Sequence, residues 1–96
     1  AGQALVSSRV AVVSLLARRE EGAGRWEVAA NLWQRASRAR PGDVMLLVNA
    51  ANCLRKAGGD LTVAEALARQ AIDLDPDSPD AHAALAVIES KRKQTP

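Results

Sequence analysis

The chain has 96 residues, of which 48% are hydrophobic and 25% charged, and its formal net charge is +2. This length predicts one small domain covering residues 1–96. The modest net charge argues against nucleic-acid binding, since it is divided as +3, −2 and +1 over residues 1–43, 44–78 and 79–96. The most apolar run, Val10–Ala17, has only eight residues, whereas a membrane span needs about 20, so we expect none.

Helical periodicity dominates the chain, and residues that favour strands never alternate with polar ones. Alanine is abundant, while phenylalanine and tyrosine are absent, which favours closely packed helices. We therefore expect an all-α protein of five helices. The first helix, about Ala4 to Glu21, carries more apolar surface than one neighbouring helix would cover.

The second predicted helix, about Arg25 to Ala39, has a clear apolar face. Trp26, Ala29, Trp33 and Ala36 follow one another at steps of three and four residues, which return to the same side of a helix. Pro41 ends this helix, because the residue before a proline avoids the helical conformation. Asp43 is a candidate N-cap for the third helix.

The remaining helices are separated by equally plain turn signals. The third is predicted from about Val44 to Ala57, ended by Gly58, and the fourth from about Leu61 to Leu74. A turn rich in proline and aspartate follows the fourth, and Ser78 is a candidate cap for the fifth helix. The fifth helix is predicted from Pro79 to about Arg92.

An internal repeat underlies this order of helices. About 35 residues after the second helix, the same pattern of small or apolar residues and a closing proline returns. The corresponding pairs are Trp26 and Leu61, Ala29 and Ala64, Trp33 and Ala68, Ala36 and Ala71, and Pro41 and Pro76.

A repeat of about 34 residues with two helices resembles the tetratricopeptide repeat (TPR). The small residues Ala29 and Ala64, the second small pair Ala36 and Ala71, and the prolines match that family's positions, as do Val13, Leu16 and Ala17 in the first helix. Departures from the pattern are Ala68, Leu54 and Glu89, which stand where the family has aromatic residues.

The resemblance implies a right-handed superhelix of antiparallel helix pairs. Residues of about 10–43 would form the first repeat, 44–78 the second, and 79–93 a closing helix. Because each unit relies on its neighbours for burial, two and a half repeats are near the minimum for folding, and the chain is interpreted as a possible fragment of a longer array.

The resemblance also implies a non-catalytic role in binding a protein or peptide. In such arrays, the first helices of successive pairs line a concave groove, and Asn49 and Asn52 offer amides there that can bond a peptide backbone, although both could instead lie on a merely solvated face. The predicted groove residues are Arg18, Met45, Val48, Asn49, Asn52, Arg55, Lys56 and Val87, together with Ala83 and Ala84.

Some relatives grip the carboxylate tail of chaperones through lysine, arginine and asparagine side chains. Asn49 matches the central asparagine of that clamp, but its basic positions are occupied by Ser14, Val48, Asp80 and Ala84. The resemblance therefore implies a helix or an extended segment as the ligand, and not an acidic tail.

The sequence contains no convincing catalytic set and no cofactor motif. Its single histidine, His82, and single cysteine, Cys53, are interpreted as packing residues, and the aspartates of residues 73–77 as turn and cap residues. No cluster of metal ligands at short spacing is present in the sequence. We therefore predict that the protein is not an enzyme and binds no metal.

A structural role as a homo-oligomer is the alternative. The first helix would then self-associate through an apolar surface comprising Leu5, Val6, Val10, Val12 and Val13. Arginine outnumbers lysine ten to three, which is typical of a GC-rich genome and suggests a bacterial source. The sequence does not determine the cellular compartment, although the cytoplasm is slightly favoured.

Overall fold

Five α-helices make up the part of the chain that the structure describes. The computed structural model covers the backbone of residues 2–94 and the side chains of residues 9–94. Within residues 2–94 there is no strand, and none of the helices is long and apolar enough to cross a membrane. The helices are α1 (Gly2–Gly22), α2 (Trp26–Ala39), α3 (Val44–Lys56), α4 (Leu61–Leu74) and α5 (Pro79–Gln94). The predicted all-α fold is confirmed.

The helix ends follow the cap and turn signals of the sequence. Asp43 Oδ1 accepts a hydrogen bond from the Met45 N–H at 3.1 Å, and Ser78 Oγ accepts one from the Ala81 N–H at 3.2 Å. Both predicted caps are thereby confirmed. The Asp60 carboxylate caps α4 in the same manner, and Gly58, after α3, adopts a φ of +71° that favours glycine.

The first hydrophobic cluster joins α1, α2 and α3 around Trp33. Trp33 is fully buried, as are Ala29 and Ala36 on the same face of α2, so the predicted apolar face of this helix is confirmed. Alanine at these positions allows neighbouring helices to approach closely around the large indole. The buried members of this cluster are Val10, Ala17, Ala29, Ala30, Trp33, Ala36, Leu46, Ala50 and Cys53.

The second hydrophobic cluster joins α3, α4 and α5 around Ile88. Small residues of α4 bring its backbone close to both neighbours, and α5 also contacts α3 directly. Leu54 and Leu67 pack against both clusters. The buried members of the second cluster are Leu47, Val48, Ala51, Ala64, Ala68, Ala71, Ala81, Ala84 and Ile88.

Two acidic residues connect helices that are distant in sequence. Glu21 of α1 accepts a hydrogen bond from Trp33 Nε1 of α2 at 3.2 Å and one from Cys53 Sγ of α3 at 3.4 Å. Glu65 of α4 pairs with Arg69 on its own helix and with Arg92 on α5. Each carboxylate therefore links packed helices.

Candidate functional site

A concave depression of about 310 Å³ lies between α3 and α5. Four residues of each helix line it, and on each helix they occur at positions i, i+3, i+4 and i+7, so that each set shares one helical face. The lining residues are Met45, Val48, Asn49 and Asn52 of α3 and Asp80, Ala83, Ala84 and Val87 of α5. We call this surface the α3–α5 groove.

The floor of the α3–α5 groove is apolar and its sides are accessible. Val48 and Ala84 are only 2% and 3% exposed, and they belong to the second hydrophobic cluster. Met45 and Val87 are each 45% exposed. A flexible methionine beside a valine provides an apolar surface that can adapt to side chains of different shape.

The polar groups of the α3–α5 groove are two amides and one carboxylate. Asn49 and Asn52 are half-buried, and neither side chain forms a hydrogen bond within the described part of the molecule. Each amide can therefore donate to and accept from a bound backbone. Asp80, in the first turn of α5, is the sole ionisable residue among the described residues that line the groove.

Asp80 is a groove residue that the sequence prediction did not include. In the sequence, Asp80 was noted only because it occupies a position where a carboxylate clamp would have a basic residue. Its spacing of three, four and seven residues from Ala83, Ala84 and Val87 is the signal that could have placed it on the same face.

The structure brings together seven of the ten predicted groove residues around this depression. The charged ends of two others lie over indole rings: Arg18 Cζ is 5.4 Å from the centroid of Trp33, and Lys56 Nζ is 4.5 Å from that of Trp26. Such cation–π contacts hold the cations against the rings of α2. Arg55 is half-buried on α3, and its Nε has no hydrogen-bond partner within the described residues. The binding role of all ten stays a prediction.

Cys53 is a buried thiol in a position that suppresses its reactivity. Burial raises its pKa from the ordinary 9.0 to about 12, and the nearby Glu21 carboxylate adds to the rise by its charge and hydrogen bond. A thiol reacts as the thiolate, so at neutral pH this side chain stays protonated and unreactive. Its position agrees with the interpretation of Cys53 as a packing residue.

The other candidate chemical groups are engaged in local turns. Asp75 Oδ1 accepts the Asp77 N–H at 3.2 Å. The interpretation of His82 as a packing residue is wrong, because its side chain is exposed and its Nε2 lies 2.6 Å from the Pro76 carbonyl oxygen. Across the residues that the structure describes, no three histidine, cysteine or carboxylate side chains are grouped to hold a metal ion. With these groups set aside, what the α3–α5 groove offers a ligand is apolar contact, hydrogen bonding and the negative charge of Asp80.

Comparison with known proteins points to a single family. A family model described as the tetratricopeptide repeat matches residues 14–79 and, in a second placement, residues 56–93. The first placement includes α2, α3 and α4, and the second includes α4 and α5. No curated protein matches the sequence.

Proposed function

Because the chain belongs to the tetratricopeptide repeat family, we propose that it is a non-catalytic scaffold that binds a protein segment in the α3–α5 groove. Domains of this family generally mediate protein–protein interaction. The observation that supports the groove as the binding surface is the convergence of two helical faces on one depression with an apolar floor and unpaired amides. Clefts of this kind bind ligands through apolar contact and a few polar groups.

The chemistry of the groove defines the ligand that we propose. The floor of Val48 and Ala84 accepts a small or medium apolar side chain, and the amides of Asn49 and Asn52 bond a peptide backbone. The Asp80 carboxylate favours a lysine or arginine on the ligand close to the beginning of α5. The ligand is thus an extended segment or a helix with apolar and basic residues.

The same chemistry argues against an acidic tail as the ligand. Of the residues that the structure describes, no lysine or arginine lines the α3–α5 groove, and the one charge there is negative. A carboxylate placed there would be repelled by Asp80 and would find only amide donors.

A peptide-display selection on the immobilised chain tests this proposal. Selected peptides should be enriched in apolar and basic residues, and the double substitution Asn49→Ala/Asn52→Ala should weaken their binding about tenfold, since each lost hydrogen bond contributes about 0.5–1.5 kcal/mol. Asn31→Ala, on the exposed surface of α2, is the matched control and should bind normally.

A second substitution pair examines the shape of the groove. Ala83→Glu places a long side chain at the lining, whereas Ala66→Glu places the same side chain on an exposed position of α4. Only the former should block binding. If the selected peptides bind the Asn49→Ala/Asn52→Ala variant and the Ala83→Glu variant with the same affinity as the unchanged chain, the groove is not the binding surface.

Self-association through α1 is the second candidate function, and the exposure of Val12, Leu15 and Leu16 favours it. Of the surface predicted from the sequence, Val10 is in fact buried against α2 and Val13 is half-buried, while the side chains of Leu5 and Val6 lie outside the described residues. Sedimentation of the chain over a range of concentrations decides between monomer and oligomer.

A further inference from the structure

One face of α1 has exposed apolar residues between two arginines. Arg9, Val12, Leu16 and Arg19 follow at steps of three, four and three, so they lie along the same side of the helix. Val12 is 57% and Leu16 43% exposed. We call these four residues the α1 stripe.

The repeat itself shows what covers the equivalent face elsewhere. Thirty-four residues after Val12 and Leu16, Leu46 and Ala50 of α3 are only 6% and 0% exposed. Both belong to the first hydrophobic cluster, with Ala29, Trp33 and other residues of α2. The face of α3 that corresponds to the α1 stripe is thus covered by a helix.

An apolar cleft of about 510 Å³ continues the α1 stripe between α1 and α2. Among the described residues that line it, the charged ones are two arginines, Arg9 and Arg35, and its floor is formed by buried apolar side chains. Within residues 9–94, Arg9, Arg19 and Arg35 form no ion pair. The lining residues are Arg9, Val10, Val12, Val13, Arg35, Ala36 and Ala39.

The arginines make a second copy of the chain a poor occupant. If two α1 stripes pack antiparallel about their apolar centres, Arg9 of one copy lies opposite Arg19 of the other. If they pack parallel, Arg9 lies beside its own counterpart. Either arrangement brings like charges together at the edge of an apolar contact, which disfavours the pairing.

We propose that the α1 stripe and its cleft dock an amphipathic helix of a partner protein that carries acidic residues at both ends of an apolar stripe. Arg9 and Arg19 are ten positions apart, which is about 15 Å along a helix, so the acidic residues would be separated by about three turns. Arg35 adds a positive charge on the opposite wall of the cleft. This surface is lined by residues other than those of the α3–α5 groove, and its occupant has the opposite charge.

Two labelled helical peptides test the proposal. Both have the same apolar stripe, and one has glutamate and the other lysine at the two flanking positions. Fluorescence anisotropy should show that the glutamate peptide binds at least about tenfold more tightly, because two or three ion pairs replace repulsions at a partly apolar surface. Added salt should reduce this difference.

Charge reversal on the chain makes the test specific. Arg9→Glu/Arg19→Glu should exchange the preference, so that the lysine peptide becomes the tighter ligand. The control Arg38→Glu/Lys93→Glu changes the net charge equally and should leave the preference for the glutamate peptide in place. The positions changed in the variant and in the control are all exposed.

Three results would overturn the proposal. In one, both peptides bind equally to the unchanged chain; in another, Asn49→Ala/Asn52→Ala removes binding, so that the peptide occupies the α3–α5 groove. In the third, sedimentation shows a dimer that Val12→Asp dissociates, so that a second copy covers the stripe. Failure of the groove variants to affect selected peptides would contradict the proposed function and leave this docking surface intact.

Discussion

The Trp33 indole N–H donates a hydrogen bond to the carboxylate of Glu21, twelve positions earlier in the chain, at 3.2 Å. The ring of Trp33 is the largest fully buried side chain among the described residues, and this bond satisfies its one polar atom. The other oxygen of Glu21 accepts from the Cys53 thiol at 3.4 Å. One carboxylate therefore serves donors from two different helices.

We expect Glu21→Ala to lower the free energy of unfolding by about 1–3 kcal/mol, because it leaves a buried indole N–H without an acceptor. Glu21→Gln keeps a carbonyl oxygen and should lose less. Urea titrations followed by circular dichroism measure both. An equal loss for the two variants would mean that the hydrogen bond to Trp33 contributes little.

The Cys53 thiol should resist alkylation in the folded protein at neutral pH. Its pKa is raised to about 12, so the thiolate that attacks the reagent is scarce, and the side chain is buried. Labelling with iodoacetamide, followed by mass spectrometry, should therefore be no faster than unfolding. Labelling much faster than unfolding would contradict the burial of this thiol.

The same pKa shift predicts a loss of stability in alkali. The folded state holds the thiol proton more tightly than the unfolded state, so the stabilisation is complete below pH 9.0 and is lost as pH rises towards about 12. Cys53→Ala has no thiol to titrate. The difference in unfolding free energy between the two chains should change over this range and stay constant below it.

The ion pairs of Glu65 should hold α5 against α4. Hydrogen bonds from Arg92 and then from Arg69 lower the pKa of Glu65 below its ordinary 4.5, so their contribution is present above pH 4.5 and is lost as pH falls through the lowered pKa. Glu65→Gln should increase amide hydrogen exchange in α5 at pH 7 more than in α2. Arg38→Ala, on the exposed side of α2, should have no such effect.

Gly58 should tolerate alanine poorly, and Gly42 should tolerate it well. Gly58 has a φ of +71°, where alanine is strained by about 1 kcal/mol or more, whereas Gly42 has no positive φ and no heavy atom within 4 Å of an added Cβ. Thermal unfolding of Gly58→Ala and Gly42→Ala measures the contrast. Equal melting temperatures would argue against a left-handed residue at the end of α3.

The sequence predicted most of the fold because its helical signals are local. The spacing of Trp26, Ala29, Trp33 and Ala36 identifies the buried face of α2, and Asp43 lies only two positions before the N–H group that it caps. Contacts between helices were not predictable in this way. The hydrogen bonds that Glu21 accepts from Trp33 and Cys53 cross 12 and 32 positions, and no periodicity identifies such pairs.

The site was less predictable, for a related reason. The resemblance assigned Met45 and Asn49 to the concave face, and the structure places both at the α3–α5 groove. The resemblance also assigned Arg18 and Lys56 to that face, but the charged ends of these long side chains lie over indole rings of α2. Side-chain direction depends on neighbouring helices, which the local pattern does not contain.

Leu54 and Leu67 contact both hydrophobic clusters, and this affects how the molecule unfolds. Arrays of repeats are held together by contacts between neighbouring units, and their halves can melt separately when the boundary between them is weak. Here the boundary consists of side chains that pack against both clusters, so unfolding of one cluster would expose apolar surface of the other. We therefore expect the two hydrophobic clusters to unfold as a single cooperative unit, and a substitution at Leu54 or Leu67 to destabilise both of them.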